Sequence, residues 1–553
     1  MPCLYSVNYC FTGYEKPRVI LHNQSVPATI SPIQLMSIKH FANGLLIFVL
    51  AAAVTGCAIN PVTGKNEITF VSESQELSIG KKNYAPYRQA QGGDYVVKPE
   101  VTRYVQSVGE RIAKVSDRKL PYEFHVLNDS SPNAWALPGG KISINRGLLV
   151  ELESEAELAA VLAHEVIHAA ARHTAQSMER GLFLQGALIA AGVALSDSEY
   201  RDVGMMGASV GAQLANKKYS RDDETEADHY GIRYMVRAGY DPAAAVQLQE
   251  TFVKLAEGRE QSWLSGLFAS HPPSRARVAA NRSLVAELGN PGGETGKARY
   301  KKAIAHLEKT KPAYKAFDEA TAAFKEGKKE TALKKVNQAI RIEPNEAVFY
   351  SLRGEIKAAQ GNNKAAKKEL DQAIKLNPDY FKPFLVRGLT LKQMGESATS
   401  ARDLEKSIGL LPTAEGYYGL GQIAHASGKS DQAIKYFSKA ATSKSNVGDR
   451  AEEQLVRLDL RNNPSRYVSS GLVLTKEGYL AVKVKNTTPL AIKGVRVVIG
   501  VKSGSNILEK AAYRVNRTLS AGRSIQIATK LGPMDIKTAR HYAVLVTDAS
   551  LAE

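Results

Sequence analysis

At 553 residues the chain is long enough for three or four domains, and its formal charge of +18 lies almost wholly in its second half. Residues 1–56 carry a net +2 and residues 57–298 carry 26 basic against 29 acidic side chains, a net −3, which leaves +19 for everything after Ala298. So basic a second half suits acidic protein, lipid headgroups or lipopolysaccharide, or simply solvated lysines on its helices; nothing in it resembles a nucleic-acid motif, and no nucleic-acid partner is expected.

The apolar run at residues 44–54 (GLLIFVLAAAV) is too short to span a bilayer and suits the core of a signal peptide, with Lys39 and His40 ahead of it. It ends Val54-Thr55-Gly56-Cys57, which resembles a bacterial lipobox whose cysteine is lipidated and becomes residue one. Residues 1–35 make poor sense before such a signal, so Met36 is the expected start, and residues 1–56 are a leader plus lipoprotein signal. Cys57 is then the only thiol of the mature chain, which excludes a disulfide. Ala at position 58, rather than Asp, points to the periplasmic face of the outer membrane, with an inner-membrane anchor as the alternative.

A domain-sized segment, residues 57–298, comes next. Helical stretches are expected at 72–84 and 99–115, and a strand at 122–127. Asn133-Ala134-Trp135-Ala136-Leu137-Pro138-Gly139-Gly140 then leads into a second strand at 141–144. Pro and two Gly before a strand suggest a sheet edge, open to an extended peptide by strand addition or closed as a plain hairpin. An Ala-rich helix at 158–171 carries His164-Glu165-Val166-Ile167-His168. Four residues apart, the two imidazoles share a helical face and can hold one metal ion, with Glu165 placed to take a proton from a bound water. The acidic run at 219–228 offers the third ligand, because Glu224 and Asp228 again share a face while Glu226 points elsewhere. Residues 181–193 and 203–214 are rich in Gly, Ala and Met and suit a buried hairpin better than membrane helices.

On these motifs the chain resembles the zinc metallopeptidase family that includes the CAAX prenyl proteases, HtpX, the mitochondrial Oma-type proteases and the periplasmic BepA and LoiP. The resemblance covers roughly residues 60–281. It implies one Zn2+ per chain held by His164, His168 and Glu224, Glu165 as the base, and Asp228 behind the ligands. It also implies a substrate edge strand formed by Asn133, Ala134, Pro138, Gly139 and Gly140. His271-Pro272-Pro273-Ser274-Arg275 resembles the family's H-P-x-x-x-R element, whose histidine can approach the zinc, so that His271 would act as a gating ligand.

From Ala313 the sequence repeats every 34 residues or so, the tetratricopeptide length, with glycines at 327, 361, 395 and 428 and prolines at 344, 378 and 412. Residues 299–445 should therefore stack into an α-solenoid whose concave groove takes a peptide or an envelope protein. After residue 465 the period changes to two, which suggests a small β-sandwich over residues 466–553. The expected fold is mainly α and multidomain: an α+β zincin-like peptidase domain, a solenoid and a sandwich. The expected function is a zinc endopeptidase that cleaves or quality-controls misassembled outer-membrane or periplasmic proteins. The alternative is a periplasmic assembly chaperone whose repeats dominate while the zinc site stays latent.

Overall fold

The computed structural model describes residues 57–69, 71–179, 219–257, 271–503 and 506–552. The apolar run, the lipobox-like residues before Cys57 and the two Gly/Ala-rich stretches at 181–193 and 203–214 lie outside the described residues. No helix among the described residues is long and apolar enough to cross a membrane. A short ribbon of β1 (Cys57–Ile59) and β2 (Asn66–Ile68) opens the described chain, and the unit made of residues 59–66 and 71–553 holds every other element.

α1 (Glu73–Ala90) begins where Ser72 accepts from the Gln75 amide while the Gln75 side chain reaches back, a reciprocal cap that satisfies two orphan amides. α2 (Pro99–Ala113) starts on a proline, whose missing N–H costs nothing at that position. Together they flank a three-stranded sheet of order β3–β5–β4: β3 (Glu123–Leu127) runs parallel to β5 (Lys141–Asn145), and β4 (Ala134–Leu137) is the antiparallel edge. Gly139 and Gly140, with φ of 76° and 77°, make the tight β4–β5 turn, which requires the left-handed region twice. All four β4 residues are buried, and on its outer edge the Ala136 carbonyl accepts from Thr174 Oγ1 at 3.3 Å and Tyr219 OH at 3.4 Å.

Behind the sheet lies α4 (Glu155–Ala170), preceded by the one-turn α3 (Arg146–Leu149). Every residue of α4 except His164 is buried, as its Ala-rich, all-round apolar sequence demands. Its first turn holds Glu155, which Arg299 grips at 2.8 and 2.9 Å and to which Tyr104 and Tyr240 donate. α5 (Arg221–Arg237) packs across α4 at Gly231, where an added Cβ would meet the His164 amide at 3.3 Å. α6 (Ala243–Glu257) and α7 (Arg275–Glu287) complete this half.

The repeats run as α8 (Lys297–Lys325), α9 (Lys329–Ile342), α10 (Ala347–Ala359), α11 (Asn363–Leu376), α12 (Phe381–Gln393), α13 (Ser397–Leu410), α14 (Ala414–Ala426) and α15 (Ser430–Ala440), capped by α16 (Asn446–Asp459). The periodic glycines 327, 361, 395 and 428 all take φ between 73° and 81°, the left-handed turn that reverses the chain between paired helices. The hydrophobic core is continuous from Val62 to Tyr380, so the first repeats share it with the half that precedes them. Polar contacts reinforce that seam: Gln89 donates to Asp379 O at 2.6 Å, and Asn128 donates to the buried Glu346 carboxylate at 3.0 Å.

After the short α17 (Pro464–Tyr467), two three-stranded antiparallel sheets face each other across a shared apolar interior. One is β6 (Val468–Leu474), β7 (Leu480–Asn486) and β10 (Ser524–Ala528); the other is β8 (Ile492–Ser503), β9 (Asn506–Val515) and β11 (Tyr542–Leu551), with a single turn α18 (Ile536–Ala539) leading into β11. Strict alternation puts Val482 and Val484 inside and Lys483 and Lys485 out.

Candidate metal centre

The period of the helix places His164 and His168 on one face of α4, and the close crossing at Gly231 brings α5 over that face. His164 Nε2 and His168 Nε2 stand 3.0 Å apart. Glu224 lies 3.5 Å from the first through Oε2 and 3.4 Å from the second through Oε1. His271, immediately before α7, closes the group: its Nδ1 is 2.9 Å from Glu224 Oε1 and 3.2 Å from His164 Nε2. One donor atom from each of these four residues fits within 4.8 Å. Glu165 points to the same place, with Oε1 3.4 Å from His271 Nε2.

A layer of polar side chains orients the donors. Asp228 Oδ1 holds His164 Nδ1 at 3.0 Å, which turns Nε2 inward. Arg277 clamps Asp228 at 2.7 and 2.8 Å, reaches Glu224 at 2.7 Å and donates to Pro272 O, tying α5 to the turn that carries His271. The Arg275 read from the sequence as the end of the His-Pro element is elsewhere. It lies on the surface and pairs with Glu257, while Arg277, two positions on in the first turn of α7, faces inward. His168 Nδ1 lies 2.9 Å from His173 Nδ1, and His173 Nε2 lies 3.1 Å from Glu226. Glu226 is turned away from the donors, as expected two residues beyond Glu224 on a helix, yet it reaches the group through His173. Tyr219 stacks on the His168 ring, 3.8 Å between centroids and 15° from parallel. Sequence reasoning did not single out His173, Tyr219 or Arg277. The only trace of His173 is its place five residues after His168.

Electrostatics matches the geometry. Burial opposes protonation of His164, but the Glu224 and Asp228 carboxylates outweigh it and raise its pKa to about 10. Burial drives His168 well below its ordinary range and pushes the Glu165 carboxyl up. Glu224 is buried too, yet the imidazoles around it hold its pKa far below the carboxylate range. A proton drawn so strongly onto His164 marks a place where positive charge is favoured. Among the described residues, Glu165 Oε2 and His271 Nε2 are buried without a hydrogen-bond partner, a costly arrangement for polar atoms. Two imidazoles, an ionised carboxylate and a further imidazole are a donor set that fits a divalent zinc ion. The cavity beside His164, Glu165 and Ala134 measures about 50 Å³, room for a few ordered waters.

Residues 99–285 match Peptidase family M48, and residues 347–380 and 414–446 match the tetratricopeptide repeat. The beta-barrel assembly-enhancing protease of Escherichia coli (strain K12) is 28% identical over 264 residues, 44% of this chain and 52% of that one. The mitochondrial metalloendopeptidase OMA1 of Schizosaccharomyces pombe is 35% identical over 224 residues, covering 39% and 63%. The metalloprotease YcaL of Escherichia coli (strain K12) is 29% identical over 264 residues, covering 44% and 96%. The chain spans about half the length of the beta-barrel assembly-enhancing proteases it matches. Among solved structures, MamA aligns with 29% of this chain and 88% of its own at 24% identity and a TM-score of 0.23, too low to bear on function. The chain therefore carries a Peptidase family M48 domain joined to tetratricopeptide repeats.

Proposed function

We propose that this chain is a zinc endopeptidase of the bacterial cell envelope, acting on misassembled outer-membrane or periplasmic proteins. The observation that carries the reading is the convergence of the His164, His168, Glu224 and His271 donors beside the buried Glu165. The similarity to beta-barrel assembly-enhancing proteases supports the envelope setting. A lipid on Cys57 would hold the chain at the periplasmic face of the outer membrane, and the repeat groove would receive envelope proteins.

His164, His168 and Glu224 would hold the ion, with Asp228 and His173 fixing the two imidazoles by their other nitrogens. Zinc held there would supply a water of lowered pKa and a positive charge for the scissile carbonyl. Glu165 accepts the proton of the attacking water and passes it to the leaving amine, a task suited to a carboxyl whose pKa burial has raised. The substrate strand adds to β4. Asn133 O accepts from Asn145 N at 2.8 Å, so the backbone groups of Ala134 and Ala136, one residue out of phase, face the free edge. An incoming strand has to displace the Thr174 and Tyr219 hydroxyls from Ala136 O before it can pair.

His271 gates the site by supplying a fourth donor where the water is needed. Its replacement by Ala is expected to raise basal casein cleavage and self-cleavage without loss of metal. A histidine that only braces its loop would instead leave activity flat or lower together with a reduced melting temperature.

The purified chain should contain about one zinc per molecule by elemental analysis, the expectation for a single three-ligand site. Glu224→Ala should lose it. Full zinc retention in a His164→Ala/His168→Ala chain would refute the assignment.

A further inference from the structure

We propose that the distal tip of the C-terminal β domain docks on a phospholipid bilayer rich in anionic headgroups. Its proximal end is tied to the repeats: Thr487 N donates to Tyr467 O at 3.0 Å, and β6 and β7 pair there as Val468 with Asn486. At the far end lie the β6–β7 turn, the start of β9 and the segment from Ala528 into β11. The turn and that segment are joined by Met534 N to Gly478 O and Leu480 N to Leu531 O, both 2.9 Å, while Val501 pairs with both Tyr542 and Leu508. This end therefore gathers residues 473–480, 501–503, 506–508 and 528–542 into one surface.

Eight large apolar side chains are exposed among the described residues, and four of them sit here: Val473, Tyr479, Leu508 and Ile536. Single exposed apolar residues are ordinary, but four of eight gathered at one end of an 88-residue domain are not. The same end exposes Lys476, Lys502, Lys530, Lys537 and Arg540, against Glu477 and Asp535. The ion pairs within this domain, Arg496–Glu509 and Arg514–Asp548, use other cations. Residues 466–553 as a whole carry 14 basic and 5 acidic side chains, a net +9.

Apolar side chains ringed by lysines match a bilayer's own layering, with acyl chains beneath anionic phosphates, and long lysine stems let the ammonium stay at headgroup level. Protein interfaces select differently: their buried centres are depleted in lysine and enriched in arginine and aromatic rings. Four lysines, one arginine and three aliphatic side chains to one tyrosine favour lipid over an acidic protein. Nothing in this surface depends on the zinc chemistry.

The test uses the full chain carrying Ile536→Trp and vesicles of phosphatidylcholine with brominated acyl chains, prepared with or without phosphatidylglycerol. Fluorescence of the new tryptophan, taken as the difference from the parent chain, should be quenched on the anionic vesicles and not on phosphatidylcholine alone. A further Lys502→Gln/Lys530→Gln/Lys537→Gln substitution should weaken the lipid dependence of that quenching by about a hundredfold, each lysine near an anionic surface contributing about a factor of five. A matched Lys485→Gln/Arg523→Gln change at the proximal end should leave it within about twofold. The readout is local to the tip, so vesicle binding by any other part of the chain does not mimic it. No quenching on anionic vesicles, or equal loss in the proximal variant, overturns the proposal. So does a spectral shift with soluble poly-L-glutamate as large as that with vesicles, which would point to an acidic protein instead.

Discussion

Replacing Glu165 by Gln is expected to lower peptide hydrolysis by about 10³ to 10⁴, the upper part of the range for a lost general base, while leaving fold and zinc content unchanged. The side chain is nearly isosteric and holds no donor position in the group, so nothing else in the centre has to move. What disappears is a carboxylate able to accept a proton: Glu165 is 2% exposed, and its Oε2 has no hydrogen-bond partner among the described residues. An amide there keeps the volume and loses the basicity. The measurement is cleavage of casein or a quenched peptide beside elemental analysis of the same preparation. Residual activity within tenfold of the parent would mean that another group takes the proton. Comparing the envelope proteome of cells carrying Glu165→Gln with that of the parent would then name the substrates.

Arg277→Ala is expected to destabilise the catalytic half by about 3–5 kcal/mol, the cost of removing one member of a buried ion pair and leaving its partners uncompensated. Asp228 and Glu224 are 7% and 1% exposed, and the one guanidinium serves both as well as the Pro272 carbonyl. Its loss leaves two buried carboxylates with fewer positive neighbours and frees the turn that carries His271. A lower melting temperature should therefore come with weaker zinc retention, since Asp228 no longer holds His164 in place. Arg275→Ala is the control: that side chain is solvent-exposed and pairs with the exposed Glu257, so the melting temperature and zinc content should stay at the parent's. Equal effects of the two substitutions would refute the account of the network.

Whatever rests on local periodicity can be read from the residues alone. The four-residue spacing of His164 and His168 puts them on one helical face, because an α-helix turns once in 3.6 residues whatever surrounds it. The 34-residue recurrence of glycine, proline and small residues yields paired helices for the same reason, and the glycines at 327, 361, 395 and 428 stand where each pair reverses. Alternation after residue 465 likewise yields strands, with Lys483 and Lys485 outside and Val482 and Val484 inside. Spacing of this kind says nothing about which distant side chains meet. Arg277 rather than Arg275 faces Asp228 because Ser274 caps α7 and its first turn sets the phase of the whole helix. His173 and Glu226 meet across two helices whose approach depends on Gly231. The β4 edge is an edge by sequence, but whether it is open depends on Thr174 and Tyr219, which reach it from elsewhere in the chain. Four exposed apolar side chains of the β domain come together only because alternate strand ends share one end of two sheets. Contacts between residues far apart in sequence are set by helix crossing and sheet order, and these are decided by the packing of the whole core.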